Sequence, residues 1–111
     1  MEDIVAAFAA VDIRTGTIVA AQALEGARKP ALVLRIDFGS TLGVRASTAQ
    51  LTERYNAPAL VGKQVLAVVN LPVKRVAGVA SEVLTLGVAD EKGAVVLVTP
   101  EARVPDGARL Y

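Results

Sequence analysis

Apolar residues near the N-terminus follow the spacing of an α-helix. Four of them stand between positions 4 and 11, behind the acidic pair Glu2-Asp3, and the positive end of a helix dipole favours acids at that place. A short N-terminal helix is therefore predicted, and its apolar residues are Ile4, Val5, Phe8 and Val11.

From residue 13 onward the pattern changes to that of β-strands. Runs of β-branched or alternating residues bounded by Gly and Pro are typical of strands. They cover residues 13–19, 32–38, 43–47, 64–69, 79–88 and 94–99. In the second run the even-numbered residues from Leu32 to Phe38 are all apolar and share one face, so that face is predicted to point into the core.

A second short helix is predicted after the third strand. Helix formers fill residues 48–55, with one further turn at 58–61, and the hydroxyl of Ser47 or Thr48 stands where it would cap the first turn. Five or six short strands with two small helices favour an all-β fold, a closed β-barrel of the OB type with short helices at the N-terminus and after the third strand. An SH3-like barrel would give a similar pattern.

The spread of Pro and Gly predicts a single domain, residues 1–111, because no repeat or flexible linker interrupts the chain. Hydrophobic residues make up 53% of it, and the mean hydropathy is +0.48. Such a composition in a small domain indicates that a second subunit or an apolar partner covers part of the surface. A very well filled core is the alternative.

The apolar runs are too short to cross a bilayer, and the first residues are acidic where a secretory signal would be basic. A cytoplasmic protein without membrane insertion is predicted.

Because cysteine and histidine are both absent, the familiar zinc sites, thiol nucleophiles, disulfides and Ser-His or Cys-His catalytic arrangements are excluded. The spacing of the remaining polar residues supports no other catalytic or nucleotide-binding motif: it matches neither a Walker loop nor a dinucleotide glycine pattern, and it supports neither a carboxylate pair nor a Ser-Lys dyad. We predict a non-enzymatic protein without catalytic residues, metal or cofactor.

Basic residues concentrate in the middle of the chain, although the net charge is only +1. Between Phe38 and Gly78 a single acid, Glu53, is accompanied by five bases, which are Arg45, Arg54, Lys63, Lys74 and Arg75. Such a segment would bring one positive face to a phosphate backbone. Scattered, solvated charges are the alternative.

The polar run that follows strand 64–69 carries the first candidate binding residues. Pro72 fixes a turn and leaves Asn70, Lys74 and Arg75 on a connection whose side chains can reach a ligand. An amide beside two cations suits a phosphate together with a ribose or base edge. A turn-forming Asn70 and a solvated hairpin are the alternatives.

The second polar run is residues 45–50. It begins with Arg45, which has no acidic neighbour in the sequence, so a partner's phosphate is a candidate for its counter-charge. Only two Phe and two Tyr are available, with no Trp. Because single-strand-binding OB domains stack bases on aromatic platforms, structured RNA is favoured over single strands.

Five short motifs, in order and with characteristic spacing, carry a family resemblance. They are Asp-Ile-Arg-Thr-Gly at 12–16, Ile-Asp-Phe-Gly at 36–39, Ser-Thr-Ala-Gln at 47–50, Gly-Lys-Gln-Val at 62–65 and Ser-Glu-Val-Leu-Thr-Leu-Gly at 81–87. From about Phe8 to the C-terminus the sequence resembles the tRNA-binding-domain family, above all its free-standing branch of export chaperones.

The resemblance implies an OB-fold homodimer with two candidate activities. One is binding tRNA by shape and backbone. The other is holding unfolded precursor proteins and presenting them to the Sec export machinery. Neither requires catalysis, a metal or a nucleotide.

One departure from the family pattern favours the chaperone branch. Domains attached to synthetases generally have a Gly-Met pair after the serine that is Ser81 here, whereas this chain has Glu82-Val83 and so places an acid where tRNA phosphates would approach. The resemblance still carries a set of RNA- or partner-binding residues over to the binding face. They are Arg45, Ser47, Gln50, Asn70, Lys74, Arg75 and Ser81.

Overall fold

The structure is a computed structural model that describes residues 3–111. Its elements are α1 (Ile4–Ala10), β1 (Ile13–Ala23), β2 (Leu32–Asp37), β3 (Val44–Ala49), α2 (Ala57–Leu60), β4 (Gln64–Val68), β5 (Lys74–Val76), β6 (Val79–Ser81), β7 (Leu84–Thr85), β8 (Gly87–Ala89) and β9 (Val95–Leu97). Glu2 of the predicted acidic pair lies outside the described residues, while Asp3 is the N-cap and accepts hydrogen bonds from the backbone of Val5 and Ala6.

The long strand β1 is the centre of a five-stranded sheet with the order β3-β2-β1-β4-β7. Its first half pairs with β4 and its second half with β2, both antiparallel. The change of partner coincides with a β-bulge between Ile18 and Ala20. Because a bulge increases the local twist, it turns β1 so that the sheet curls toward closure.

The inner face of the barrel is lined by the apolar residues that the sequence assigned to it. Leu32, Leu34, Ile36 and Phe38 are all buried in one hydrophobic cluster with Ile18. A second, smaller cluster lies on the outer face of β2, where Leu24, Ala31 and Val33 pack against the β5–β6 hairpin; the hairpin contributes Val76 and Val79. The predicted all-β barrel of the OB type, with short helices at the N-terminus and after the third strand, is confirmed.

Side chains close the barrel between β3 and the segment that follows β6. The backbone N–H of Glu82 donates to the carbonyl of Ala46 at 2.8 Å, and the Glu82 carboxylate accepts the N–H of Ala46 at 3.1 Å. Next to this pair, the Ser81 hydroxyl accepts the N–H of Thr48 at 3.0 Å. Glu82 therefore replaces a ladder partner at the seam of the barrel, and one of its carboxylate oxygens accepts this bond.

Two sequence predictions about the region after β3 are wrong in detail. Residues 48 and 49 continue β3 by pairing with Val33 and Leu32, residues 52–54 form turns, and the helix is confined to Ala57–Leu60. Neither Ser47 nor Thr48 caps a helix, because both lie within β3; Asn56 caps α2 instead. The run 79–88 is likewise broken into β6, β7 and the first part of β8.

The C-terminal residues cover the edge of β1 that β2 leaves free. The N–H of Gly107 donates to the carbonyl of Thr15 at 2.7 Å, and that of Leu110 donates to the carbonyl of Ile13 at 2.9 Å. No helix among residues 3–111 has the length and apolarity that crossing a membrane requires.

An ion-pair cluster ties this C-terminal segment to the start of β1. Asp12 lies 2.6 Å from the Nε of Arg14 and 3.5 Å from that of Arg109. The hydrogen bond from Arg14 is the largest effect on the pKa of Asp12 and lowers it; burial opposes this shift, and the charges of Arg14 and Arg109 lower the pKa further by smaller amounts.

This cluster predicts a loss of stability in acid. A carboxyl whose pKa is lower in the folded than in the unfolded chain stabilises the fold above its unfolded pKa, near 3.9, and that contribution disappears as the pH falls through the folded value. The free energy of unfolding of Asp12→Asn should therefore fall less steeply than that of the unchanged protein below about pH 5. Denaturant titrations across pH measure this, with the exposed Glu53→Gln as control; parallel curves for all three would contradict it.

Candidate binding site

Two cavities open on either side of the C-terminal end of β3. The larger is a cleft of about 780 Å³ between the β1–β2 loop, the end of β3 and the β5–β6 hairpin. We call it the cationic cleft, and its lining is Gly26, Ala27, Arg28, Lys29, Ala31, Thr48, Ala49, Gln50, Lys74, Val76 and Ala77.

Among residues 3–111, three cations and no carboxylate line the cationic cleft. Arg28 and Lys29 come from the β1–β2 loop and Lys74 from β5, and all three are exposed. The ion pairs among residues 3–111 involve other groups, namely Asp12 with Arg14 and Arg109, and Arg54 with Asp90. The three charges are therefore available to an anionic ligand.

The hairpin wall of the cleft is held in place by β3. Lys74 is directly paired with Ser81 across the hairpin, and Ser81 in turn accepts the N–H of Thr48. The turn at its tip has positive φ at both central residues, 48° at Ala77 and 83° at Gly78, as a two-residue hairpin loop of the primed type requires. Lys74 is thus presented from a short, anchored strand.

The second cavity is an apolar groove of about 320 Å³ on the other side of the same strand end. It is lined by Thr48, Ala49, Gln50, Leu51, Leu84, Thr85, Leu86, Gly87, Val88, Ala89, Val95 and Leu97, none of which is charged. Leu84 and Val88 are 50% and 60% exposed at its mouth. A groove with this lining suits apolar side chains of a partner.

Three of the seven predicted site residues lie together. Gln50 lines both cavities, Lys74 lines the cationic cleft, and Ser81 lies beside them through its bond to β3. The segment 48–50 is the common wall of the cleft and the groove.

The other four predicted residues lie elsewhere. The Ser47 hydroxyl is 0% exposed and bonded to Thr85 at 2.8 Å, so it belongs to the interior. Asn70 joins the end of α1 to β1, because its amide donates to Ala10 at 2.8 Å and accepts the N–H of the residue before β1. Arg45, near the start of β3, donates to the carbonyl of Leu42. Arg75 is exposed on the hairpin and outside the lining of either cavity.

Arg28 and Lys29 are the cleft residues that the sequence reasoning missed. They belong to residues 1–37, where acids and bases nearly balance, so counting charges segment by segment does not reveal this basic pair. The signal that would have found them is the run Gly26-Ala27-Arg28-Lys29-Pro30, a basic pair framed by turn residues between two strands.

Comparison with known proteins places this geometry in a family. The family model described as "Putative tRNA binding domain" matches residues 13–109. The methionine–tRNA ligases of Flavobacterium johnsoniae and Methanothrix thermoacetophila are 36% and 37% identical to the chain over 103 residues. The match covers 93% of this chain but only 14% and 15% of those two enzymes, so the chain spans about a seventh of their length.

Solved structures match over the whole chain. The chaperone CsaA from Bacillus anthracis is 47% identical with a TM-score of 0.91, covering 100% of this chain and 99% of that one. The CsaA chaperone from Picrophilus torridus is 39% identical with the same TM-score and complete coverage of both. A MetRS related protein from Pyrococcus horikoshii is 28% identical with a TM-score of 0.86, covering 100% of this chain and 98% of that one.

The chain therefore belongs to the family of tRNA binding domains, a class of non-catalytic OB-fold binding modules. Within that class, it is similar over its full length to the CsaA chaperones.

Proposed function

We propose that this protein is a non-enzymatic chaperone that binds unfolded precursor proteins in the cytoplasm and presents them to the Sec export machinery. The observation that carries the proposal is the uncharged groove beside β3, with Leu84 and Val88 half exposed at its mouth. Apolar side chains left in water cost free energy unless a partner covers them, and unfolded chains offer apolar side chains. The similarity to CsaA chaperones over both full chains supports the same function.

We further propose that the working unit is a homodimer. The helix α1 has no buried residue, and Ile4, Val5 and Phe8 are all exposed along it. An apolar helix projecting in this way gains stability when a second copy covers it.

The test of the chaperone function is suppression of aggregation. A chemically unfolded precursor protein is diluted into buffer with the purified protein at equal molar amount, and light scattering is followed at low and high salt. Scattering should be suppressed at both salt concentrations, because burial of apolar surface is insensitive to ionic screening. If the protein suppresses the aggregation of none of several unfolded clients, the proposed chaperone function is wrong.

Structured RNA, tRNA above all, is a second candidate ligand, favoured by the cationic cleft. Within the described part of the chain, residues 3–111, Arg28, Lys29 and Lys74 form no ion pair, and no acid lines the cleft. Each lysine or arginine that neutralises a phosphate releases a counterion, so such binding weakens steeply with salt. The family match supports this ligand class.

The cleft makes a definite prediction for tRNA binding. The double change Lys29→Glu/Lys74→Glu should lower the slope of log K against log salt by about two, because it removes two phosphate contacts. Fluorescence anisotropy of labelled tRNA over a salt series measures the slope. The matched control Lys63→Glu/Lys92→Glu reverses two exposed lysines outside the cleft. Equal slopes for the two variants would exclude the cleft as the RNA site.

A further inference from the structure

Two polar side chains from distant parts of the chain hold the C-terminal end of α1. The Asn70 amide donates to the carbonyl of Ala10 at 2.8 Å and accepts the N–H of Asp12 at 2.9 Å. Arg109 donates to the carbonyl of Ala9 at 2.8 Å. The last four carbonyls of a helix have no partner within it, so these two bonds supply partners that the helix itself cannot. Arg109 also places a positive charge where the helix dipole favours one.

These contacts fix a helix that gains nothing from the barrel core. The helix α1 has seven residues and none of them is buried, and an isolated helix of that length is not stable in water. Its direction therefore depends on the Asp3 cap at one end and on Asn70 and Arg109 at the other. Because the core does not use α1, the fixed direction matters for its exposed surface.

Both residues stand on parts of the barrel that are themselves fixed. Asn70 follows β4 by two residues, and the N–H of Val69 before it donates to the carbonyl of Asp12 at 2.9 Å. Arg109 lies in the C-terminal segment that pairs with the start of β1, and its Nε is 3.5 Å from the Asp12 carboxylate. The end of α1 is thus tied to the sheet from two sides.

The exposed surface of α1 belongs to an uncharged patch that continues past the end of the helix. Asn70 bonds the residues on either side of Val11, so Val11 and Leu71 both lie at this junction. Contiguous apolar surface of this kind marks an interaction site. The members of this apolar patch are between 40% and 78% exposed, and they are Ile4, Val5, Phe8, Val11 and Leu71.

We infer that Asn70 and Arg109 are positioning residues for assembly: they hold α1 in the direction in which the apolar patch meets the same patch of a second copy of this chain. The inference rests on the proposed homodimer and names the residues on which its formation depends. A two-fold interface brings the same surface together from both subunits. A patch without charges can face itself without repulsion between like charges. Because an ordered helix loses less conformational freedom on association, fixing α1 in the free subunit strengthens the dimer.

The test measures the dissociation constant of the dimer by sedimentation over a dilution series. Asn70→Asp keeps the acceptor for the N–H of Asp12, but it loses the bond to the carbonyl of Ala10 and places a negative charge at the end of the helix that disfavours it. Arg109→Gln shortens the side chain that bonds Ala9 and removes its charge. Each variant should raise the dissociation constant about tenfold, the effect of losing one hydrogen bond of ordinary to charge-assisted strength.

Two matched controls make the same changes at other places. Asn56 accepts the N–H of Ala59, which an aspartate also does, and Arg54 pairs with Asp90. Asn56→Asp and Arg54→Gln should leave the dissociation constant unchanged. Phe8→Ala removes apolar area from the patch while keeping a good helix former, so it should weaken the dimer about tenfold.

Hydrogen exchange separates a positioning role from a merely structural one. In subunits diluted below the dissociation constant, Asn70→Asp and Arg109→Gln should speed exchange in residues 7–11 and leave β2 unchanged. Phe8→Ala should change neither, because it alters the patch and not the bonds that hold α1. Faster exchange in β2 as well would show that Asn70 and Arg109 support the whole fold, and it would overturn the inference.

The sedimentation results distinguish the inference from the homodimer on which it rests. If Asn70→Asp and Arg109→Gln weaken the dimer no more than the two controls do, the inference is wrong and the homodimer stands. If the unchanged protein sediments as a monomer at every concentration, the homodimer and the inference both fail. Suppression of client aggregation, measured separately, decides the chaperone function in either case.

Discussion

Gly16→Ala should destabilise the barrel by about 3 kcal/mol or more, at the upper end of what overpacking a core costs. A methyl group built on Gly16 would stand 2.5 Å from a methyl of Ile36 and 2.7 Å from the ring of Phe38. Both neighbours are buried in the barrel core, so neither has room to move away. Thermal unfolding should show a fall in Tm of more than about 10 °C.

The backbone conformation at Gly16 shows that the loss of stability expected for Gly16→Ala comes from packing. Its φ is not positive, unlike that of seven other glycines, so alanine there suffers no conformational penalty. Ala20→Val, on an exposed position of the same strand, is the control and should change the stability by less than about 0.5 kcal/mol. A Gly16→Ala protein as stable as the control would show that the interior of the barrel is not packed as described.

Val88→Glu should weaken client binding at least tenfold while leaving the fold intact. The change places a carboxylate at the mouth of the apolar groove, where a bound client would desolvate it, and it also removes apolar contact area. The binding constant of a labelled unfolded peptide and the suppression of client aggregation should both fall.

Val73→Glu is the matched control for this change. Val73 and Val88 are each 60% exposed, but only Val88 lines the groove. The two variants have the same net charge and lose the same side chain, so a difference between them reports the site. Sedimentation of both proteins checks that the oligomeric state is the same. Equal loss in the two variants, or loss in neither, would exclude the groove as the client site.

The sequence predicts the barrel well because its strands follow the period of the pleat. The alternation from Leu32 to Phe38 identifies the inner face of β2 correctly, since one face of a strand must be buried. The helix predicted over residues 48–55 is wrong because pairing with β2 decides the conformation of Thr48 and Ala49, and local propensity cannot represent that long-range partner.

The candidate site is harder to predict because it is assembled from distant parts of the chain. Lys74 and Gln50 stand in polar runs that the sequence makes visible, but their proximity depends on how the hairpin docks on β3. The Glu82 carboxylate illustrates the same limit: its bond to Ala46 exists only because the barrel closes there. Asn70 likewise looks like a ligand-binding amide in the sequence, and in the fold it holds α1.

Hydrogen exchange of the backbone amides, with and without a bound unfolded client peptide, tests the proposed client site most directly. If the client occupies the groove, binding should slow exchange in residues 84–89 and 48–51, which form its walls. Residues 99–103 line a separate small cavity elsewhere on the molecule and should exchange at an unchanged rate. Protection confined to 99–103, or to any surface other than the groove, would contradict the proposed site.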